Sequence, residues 1–228
     1  MFNTTDIELA RSIVEKLPLR DCLGWVEDDE SLCNEIATEL DGIIDFESDF
    51  YVTSGVSKVV IDIEKLPFVI KFPFDGMWRY DEEEDEDYFE EYCGANSENG
   101  DNYCEAELKA TEIIQENGYG YLVPNMMFLC VVGGRPFYIQ ERVHPYCECD
   151  YKIKPSEDSL TKAQLQHESY SPKWRALVFD IYGEETFNNF MAWAREYVPD
   201  AVSDCHSGNY GIDMAGRPVI FDISGFHD

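Results

Sequence analysis

The sequence predicts an α+β protein in two parts: a five-stranded antiparallel sheet with one helix set among its strands, then a mainly helical part that carries a small hairpin. Three observations predict it. Between residues 43 and 74, in "IIDFESDFYVTSGVSKVVIDIEKLPFVIKFPF", apolar residues alternate, and Gly55 and a turn at residues 64–67 divide the run into three strands. The period then becomes helical in "CEAELKATEIIQENG", with Gly118 as its stop, and returns to extended in "NMMFLCVV" and "PFYIQERV", which Gly133-Gly134 joins as a hairpin. Beyond residue 144 the spacing is helical again, most clearly over residues 185–197, where Phe187, Phe190, Met191 and Ala194 recur at i, i+3, i+4 and i+7.

The remaining elements follow from the same signals. Thr5 with Glu8 three residues on forms a capping box, and Ala10, Ile13, Val14 and Leu17 make one apolar helix face that Pro18 stops. A second helix is expected over residues 29–40. Residues 1–44 are thus a helical extension and 45–143 the sheet with its helix. Residues 144–228 form the second part, with a short helix near 160–167, a helix over 173–182, the clear helix above and a hairpin about Ala215-Gly216. Seven consecutive acidic residues, Asp81 to Asp87, sit within an insertion at 75–103. Like charges that dense repel one another, which predicts a mobile segment.

Charge narrows the function classes. With 17 Lys and Arg against 47 Asp and Glu the formal net charge is −30. Such a surface repels phosphate backbones and anionic lipid over a Debye length, which argues against direct nucleic-acid or membrane binding. It fits a basic protein partner engaged through the acidic insertion. The N-terminal stretch is amphipathic and acidic where a signal peptide would be basic and then apolar, and no apolar run is long enough to span a bilayer. A cytoplasmic protein is expected, with its eight Cys reduced. Cys93, Cys104, Cys147 and Cys149 could gather around zinc, although their spacing matches no strong finger pattern.

The chemistry-bearing residues suit a nucleoside triphosphate. That ligand needs a cation near its phosphates, an anchor for the cation, oxygen ligands for Mg²⁺ and a base near the incoming nucleophile. Lys71 ends the third strand on the face opposite Ile70, and Glu107 lies on the following helix with Ala110 and Ile114 as inward neighbours. Asp204 and Asn209, in "DCHSGN", and Asp222, in "FDISG", supply a base and ligands. Each has a plainer reading. Lys71 could be a surface residue, Glu105 could replace Glu107, Asp204 with Asn209 could form an Asx-turn, and Asp222 could cap a chain end.

In this order the motifs resemble the protein kinase-like fold family. "SGVSKVV" resembles a reduced glycine-rich loop, which implies nucleotide contacts at Ser54, Gly55, Val56, Ser57 and Val59. "VIK" resembles the strand motif of the phosphate-pairing lysine, here Lys71, with Glu107 as its helix partner. "YIQERV" resembles the strand entering the hinge, where backbone groups of Glu141 and Val143 would meet an adenine edge. "DCHSGN" resembles the catalytic loop of small-molecule and atypical kinases, which implies Asp204 as base and Asn209 as metal ligand. "FDISG" resembles the D-F-G motif, with Ile223 and Ser224 in place of Phe and Gly, and implies Asp222 as the main Mg²⁺ ligand.

The resemblance implies a two-lobe fold with a five-stranded antiparallel N-lobe and a reduced, mainly helical C-lobe. It also implies ATP and Mg²⁺ as cofactors and phosphoryl transfer to a protein or small-molecule hydroxyl. The departures shape the expectation. Only Gly55 remains of the glycine-rich loop, Ser203 stands where an arginine would pair with an activation-loop phosphate, and no activation segment follows Asp222. The pattern resembles a minimal, C-terminally truncated atypical kinase of bacterial or bacteriophage kind. The alternative is a pseudokinase that acts as an acidic binding or inhibitory protein toward a basic partner.

Overall fold

The computed structural model describes residues 2–17, 29–44, 48–54, 58–73, 76–81, 86–91, 102–146, 153–166, 171–198 and 207–223. It is a mixed α/β protein with a five-stranded antiparallel sheet and, among the described residues, six α-helices. The chain divides into two compact units: residues 1–108 with 126–141, and residues 109–125 with 142–228. Among the described residues no helix is long and apolar enough to cross a membrane.

In the first unit α1 (Thr4–Val14) and α2 (Asp29–Asp41) precede β1 (Phe50–Ser54), β2 (Lys58–Ile63) and β3 (Phe68–Pro73). The capping residue of α1 is Asn3 and not Thr5: its side chain accepts from the Asp6 backbone N–H at 2.9 Å. An asparagine two residues upstream satisfies an orphan N–H donor of the first turn as the expected capping box would. After β3 come β4 (Gly76–Asp81), β5 (Glu86–Glu91), α3 (Tyr103–Ile114), β6 (Met126–Val132) and β7 (Arg135–Glu141). The sheet order is β1-β2-β3-β7-β6, all antiparallel. The β6–β7 turn places both Gly133 (φ 62) and Gly134 (φ 90) at positive φ, the conformation a two-residue hairpin requires.

Strand alternation gives the sheet two different faces. Val59, Ile61, Ile63, Phe68, Ile70, Phe72, Phe137 and Ile139 point one way and join Ala10, Ile13, Val14, Leu17, Ile36 and Leu40 of the helical region in one core. Helices α1 and α2 therefore pack against one face of the sheet. A bulge in β6 between Phe128 and Cys130 takes Leu129 out of the ladder, and Arg11 Nε of α1 donates to the Leu129 carbonyl at 3.2 Å. The opposite face carries Lys58, Val60, Lys71, Tyr138 and Gln140.

The expected insertion contains a pair of strands. β4 and β5 pair with each other in register from Gly76↔Glu91 to Asp81↔Glu86 and form a separate two-stranded sheet. Asp81, Glu86 and Asp87 of the acidic run thus belong to paired strands, since "GMWRYD" and "EDYFEE" carry enough aromatic residues to favour strand despite the charge. Residues 82–85 lie outside the described residues.

The second unit holds β8 (Val143–Pro145), α4 (Glu157–Leu165), α5 (Pro172–Tyr182), α6 (Glu184–Tyr197), β9 (Tyr210–Asp213) and β10 (Pro218–Ile220). The small sheet has three strands, β10-β9-β8, because Val143 to Pro145 adds to the expected hairpin. Trp174 of α5 stacks on Tyr210 at 4.2 Å and 7° and donates from Nε1 to the Gly211 carbonyl at 3.0 Å. With Phe187, Phe190, Ala194, Ile212, Ile220 and Ile223 it builds the core of this unit.

Candidate functional site

The first unit contains a buried charged cluster centred on Glu107. Cys104, Glu107, Leu108 and Thr111 fall at i, i+3, i+4 and i+7 of α3, one helix face, and all four are buried. Glu107, at 0% exposure, is the acid on that otherwise inward face. A carboxylate so placed is stable only if its oxygens are fully engaged. Lys71 Nζ lies 2.9 Å from Oε1 and 3.0 Å from Oε2, Lys58 Nζ donates to Oε2 at 3.1 Å, and Gln140 Nε2 donates to Oε1 at 2.6 Å. These donors occupy about the four acceptor positions a carboxylate offers.

Register explains the convergence. Val60 stands opposite Lys71 and Lys71 opposite Tyr138, so all three share a face, and Lys58 and Gln140 share it by the two-residue period. Lys58 is opposite Pro73, two residues along from Lys71, and the long lysine stems carry both ammonium groups to the same carboxylate. Cys104, Leu108, Met126 and Tyr138 wall the cluster with apolar surface.

Glu105 does something else. Its Oε2 accepts from the Tyr138 hydroxyl at 2.7 Å, while Asn102 caps α3 by accepting the Glu105 backbone N–H at 2.9 Å. Burial, and after it the Glu105 carboxylate, pushes the Tyr138 phenol far above its ordinary pKa, against the lowering effect of Asn102. The proton stays on Tyr138, so the hydroxyl is a fixed donor to Glu105.

Two residues of the expected nucleotide loop face elsewhere. Val59 is 0% exposed and sits in the core beneath α1 and α2, and Ser54, its cross-strand partner, shares that side of the sheet. The strand period puts Lys58 and Val60 on the face of Lys71 and turns Val59 away from it. Val59 is therefore a core residue here and not a lining residue. Glu141, the last residue of β7, is half-buried opposite Phe68.

In the second unit Asn209 and Asp222 bracket the β9–β10 hairpin. Asn209 is buried, its Nδ2 donates to the Asp222 backbone carbonyl at 3.0 Å, and its own carbonyl accepts from the Phe221 N–H at 2.9 Å. Asp222 is the sole non-glycine residue at positive φ among the described residues, at 57°. Asp tolerates this region better than most residues, and a held left-handed conformation is strain that surrounding contacts must maintain. The Asn209 tie is one such contact.

Asp213, which the sequence reading passed over, is structural: it accepts from the Ala215 and Arg217 backbone N–H groups at 2.9 and 2.8 Å and pairs with the Arg217 guanidinium at 2.6 Å. At Gly211 an added Cβ would come within 2.2 Å of Val143 Cγ1 and 2.8 Å of the His144 carbonyl, so β8 crosses very close to β9. The Tyr146 N–H donates to Tyr210 O at 2.7 Å, which makes Tyr146–Tyr210 a hydrogen-bonded pair of that ladder. Antiparallel pairs alternate, so Val143–Asp213 is a non-bonded pair. The backbone N–H and C=O of Val143 consequently point away from β9, to the outer side of an edge strand.

Gly55, Val56, Ser57 and Asp204 lie outside the described residues, as do Cys93, Cys147 and Cys149 of the zinc reading. Cys104 is wholly buried against Tyr138. Among the described residues no group of three or more His, Cys, Asp or Glu could hold a metal ion. Sequence reasoning missed Lys58 and Gln140. Their signal is parity with Lys71 on neighbouring strands, which exists only once the register is known.

No family model, no curated protein and no solved structure matches the chain at a significant level.

Proposed function

We propose that this chain is a protein kinase-like phosphotransferase with a two-lobe fold, which uses ATP and Mg²⁺ to phosphorylate a protein or small-molecule hydroxyl. The observation that carries the reading is the buried Lys71–Glu107 pair, at 2.9 Å, between the third strand and the helix that follows it in the sheet unit. A strand lysine anchored by a helix glutamate is a fixed cation, and a fixed cation stabilises phosphate charge without reorganising when the reaction occurs.

Three further features support it. The hairpin between Asn209 and Asp222 is closed by the side chain of the first on the backbone of the second, so two oxygen-bearing side chains are held at its base. An amide and a carboxylate suit Mg²⁺, which takes few protein ligands and completes its shell with phosphates and water. The ion supplies neutralisation of charge on the phosphates. The outward backbone groups of Val143 suit a donor–acceptor edge such as that of adenine. In this reading Lys71 binds phosphate, Glu107 positions Lys71, Asn209 and Asp222 hold Mg²⁺, and Asp204 accepts the proton of the attacking hydroxyl.

The alternative is a catalytically inactive pseudokinase that acts as an acidic binding or inhibitory protein toward a basic partner. It is favoured by the β4–β5 hairpin, whose Asp81↔Glu86 pair sets like charges opposite each other at the tip end. Radiolabel transfer from ATP onto candidate hydroxyl acceptors, with wild type and Asp204→Ala, tests the choice. Wild-type transfer abolished by the substitution supports the enzyme. Nucleotide binding without transfer in either protein supports the pseudokinase.

A further inference from the structure

We propose that the outer end of an aromatic stack on α6 is a docking surface for an arginine-bearing segment of a basic protein. A guanidinium lies on the outer face of the Tyr197 ring, with its charge shared by the Glu196 carboxylate. The inference does not depend on nucleotide binding. It gives the basic partner of the alternative reading a contact surface in the second unit.

The stack begins in the core and ends in solvent. Phe190, Trp193 and Tyr197 recur at i, i+3 and i+7 of α6, one helix face, and Tyr119 joins them from the turn at residues 115–119. Ring centroids of Tyr119 lie 5.3 Å from Phe190 and 5.1 Å from Trp193, and Trp193 stacks on Tyr197 at 5.9 Å and 24°. Exposure rises along the row: Phe190 is 2% exposed, Trp193 and Tyr119 are half-buried, and Tyr197 is 61% exposed. One side of the Tyr197 ring therefore rests on Trp193 and the other meets water. Because the stack already orders that ring, covering it costs little further side-chain entropy.

Charge selects the occupant. Hydrogen bonding to Glu196, and then the charge of that carboxylate, raises the pKa of the Tyr197 phenol, so a neutral ring stands beside an anion. Glu116 is exposed in the turn that carries Tyr119. Tyr197 also ends α6, where the helix dipole is negative. Arg195 is two residues from both Trp193 and Tyr197, which puts it on the far side of the helix. A ring face bordered by carboxylates attracts a cation, and a formal net charge of −30 disfavours a nucleic acid in its place. The same helix already receives such a group, since Arg175 Cζ lies 5.5 Å from the centroid of Phe187. A planar guanidinium stacks on an aromatic face and an ammonium does not, which favours arginine over lysine.

The test is calorimetric binding of three peptides to the full chain: alternating Arg and Gly, alternating Lys and Gly, and an uncharged proline-rich peptide. Wild type is compared with Tyr197→Ala, Tyr197→Phe and Glu196→Gln. Tyr197→Ala should weaken the Arg peptide about two- to fivefold, the scale of an exposed cation–π contact. Tyr197→Phe keeps the ring and should bind almost as wild type does. Glu196→Gln should weaken binding and flatten its salt dependence. The Lys peptide should bind wild type more weakly than the Arg peptide. In ¹⁵N-labelled wild type the Trp193 indole signal, identified by its loss in Trp193→Phe, should shift with the Arg peptide.

Equal affinity in Tyr197→Ala with an unmoved Trp193 signal overturns the proposal. Binding weakened by Glu86→Lys of β5 but not by Tyr197→Ala also overturns it and places the basic partner on the hairpin. Tyr197-dependent binding that is tighter for the proline-rich peptide assigns the stack to an uncharged chain and removes the cationic occupant. An Arg peptide that does not bind wild type removes it as well. None of these outcomes bears on phosphoryl transfer, which the Asp204→Ala comparison tests separately.

Discussion

Lys71 and Glu107 meet at 2.9 Å in a place that water barely reaches, with 4% and 0% of their side chains exposed. Buried ion pairs and exposed ones respond very differently to the loss of a partner. Exposed pairs contribute about 0–1 kcal/mol, whereas removing one member of a buried pair costs about 3–5 kcal/mol by stranding the other. Lys71→Met should therefore abolish transfer and also lower stability, but by less than Glu107→Ala, because Lys58 and Gln140 still engage the carboxylate. Glu107→Ala leaves two buried cations without their shared acceptor. Urea midpoints for the two variants check the order, and equal midpoints would contradict it.

Glu105→Gln is the control for register. Its oxygen accepts from Tyr138, and an amide oxygen can do the same, so stability should change by less than about 1 kcal/mol. Transfer activity should survive in Glu105→Gln and fall sharply in Glu107→Gln. The reverse result would place the functional acid two residues earlier.

Asp222→Asn separates metal binding from folding. Asparagine tolerates a φ of 57° well, and the Asn209 bond is to the backbone carbonyl of residue 222 and does not involve its side chain. The variant should fold like wild type. In wild type, Mg²⁺ with ATP at a hundredfold excess over the dissociation constant should stabilise by about 2.7 kcal/mol, and ATP with a chelator by much less. Asp222→Asn should lose that difference in a thermal-shift titration, and an undiminished Mg²⁺ effect would reject Asp222 as ligand.

These outcomes depend on relationships that the sequence displays unevenly. The β1-β2-β3 meander and the β6–β7 hairpin are readable because β1, β2 and β3 alternate cleanly and Gly133-Gly134 fixes the turn, whereas the β3–β7 pairing that joins them is not. The Lys71–Glu107 contact is what the resemblance implies, whereas the residues alone leave Glu105 open as the partner. Lys58 was not readable, since its parity with Lys71 emerges only from register. Val59 was assigned to the nucleotide face for the same reason. β8 escaped notice because three residues, Val143 to Pro145, carry too little periodicity to announce a strand. The amphipathic faces of α1 and α2 were evident, but amphipathicity names no partner, and their place on the sheet is a tertiary fact. The acidic run concealed the strands that flank it.

Asp180 sets part of the acid limb of stability. Burial alone would raise its pKa, but hydrogen bonds from Ser159 and Ser156 outweigh burial and hold the carboxyl below its ordinary value of 3.8. Its bonds are 2.6 Å from Ser159 Oγ, 2.7 Å from Ser156 Oγ and 2.6 Å from the Ser156 N–H, tying α4 to α5. A depressed carboxyl pKa stabilises the fold above the unfolded value, and the contribution disappears as pH falls through the folded one. Asp180→Asn should be less stable than wild type at pH 7 and converge with it toward the lowest pH at which wild type still folds. Parallel urea-midpoint curves for the two proteins would show that Asp180 adds no pH dependence.

The β4–β5 hairpin gives a prediction that separates local from global stability. Its strands pair with each other and form no part of the five-stranded sheet, so its opening need not unfold the unit. Asp81 faces Glu86 in register, and the next pair inward is Tyr80 with Asp87. Like charges directly opposite destabilise a cross-strand pair, and opposite charges contribute roughly 0.2–1 kcal/mol. Glu86→Lys should therefore slow hydrogen exchange of the β4 and β5 backbone amides while leaving the melting temperature of the whole protein nearly unchanged. The gain should be largest at low ionic strength and shrink as salt shortens the Debye length from about 10 Å at 0.1 M to about 3 Å at 1 M. Exchange slowed equally at both salt concentrations would point to strand propensity in place of charge. Exchange that accelerates would mean that the acidic residues are held by contacts the substitution breaks, and a large fall in melting temperature would show the hairpin to be an integral part of the fold.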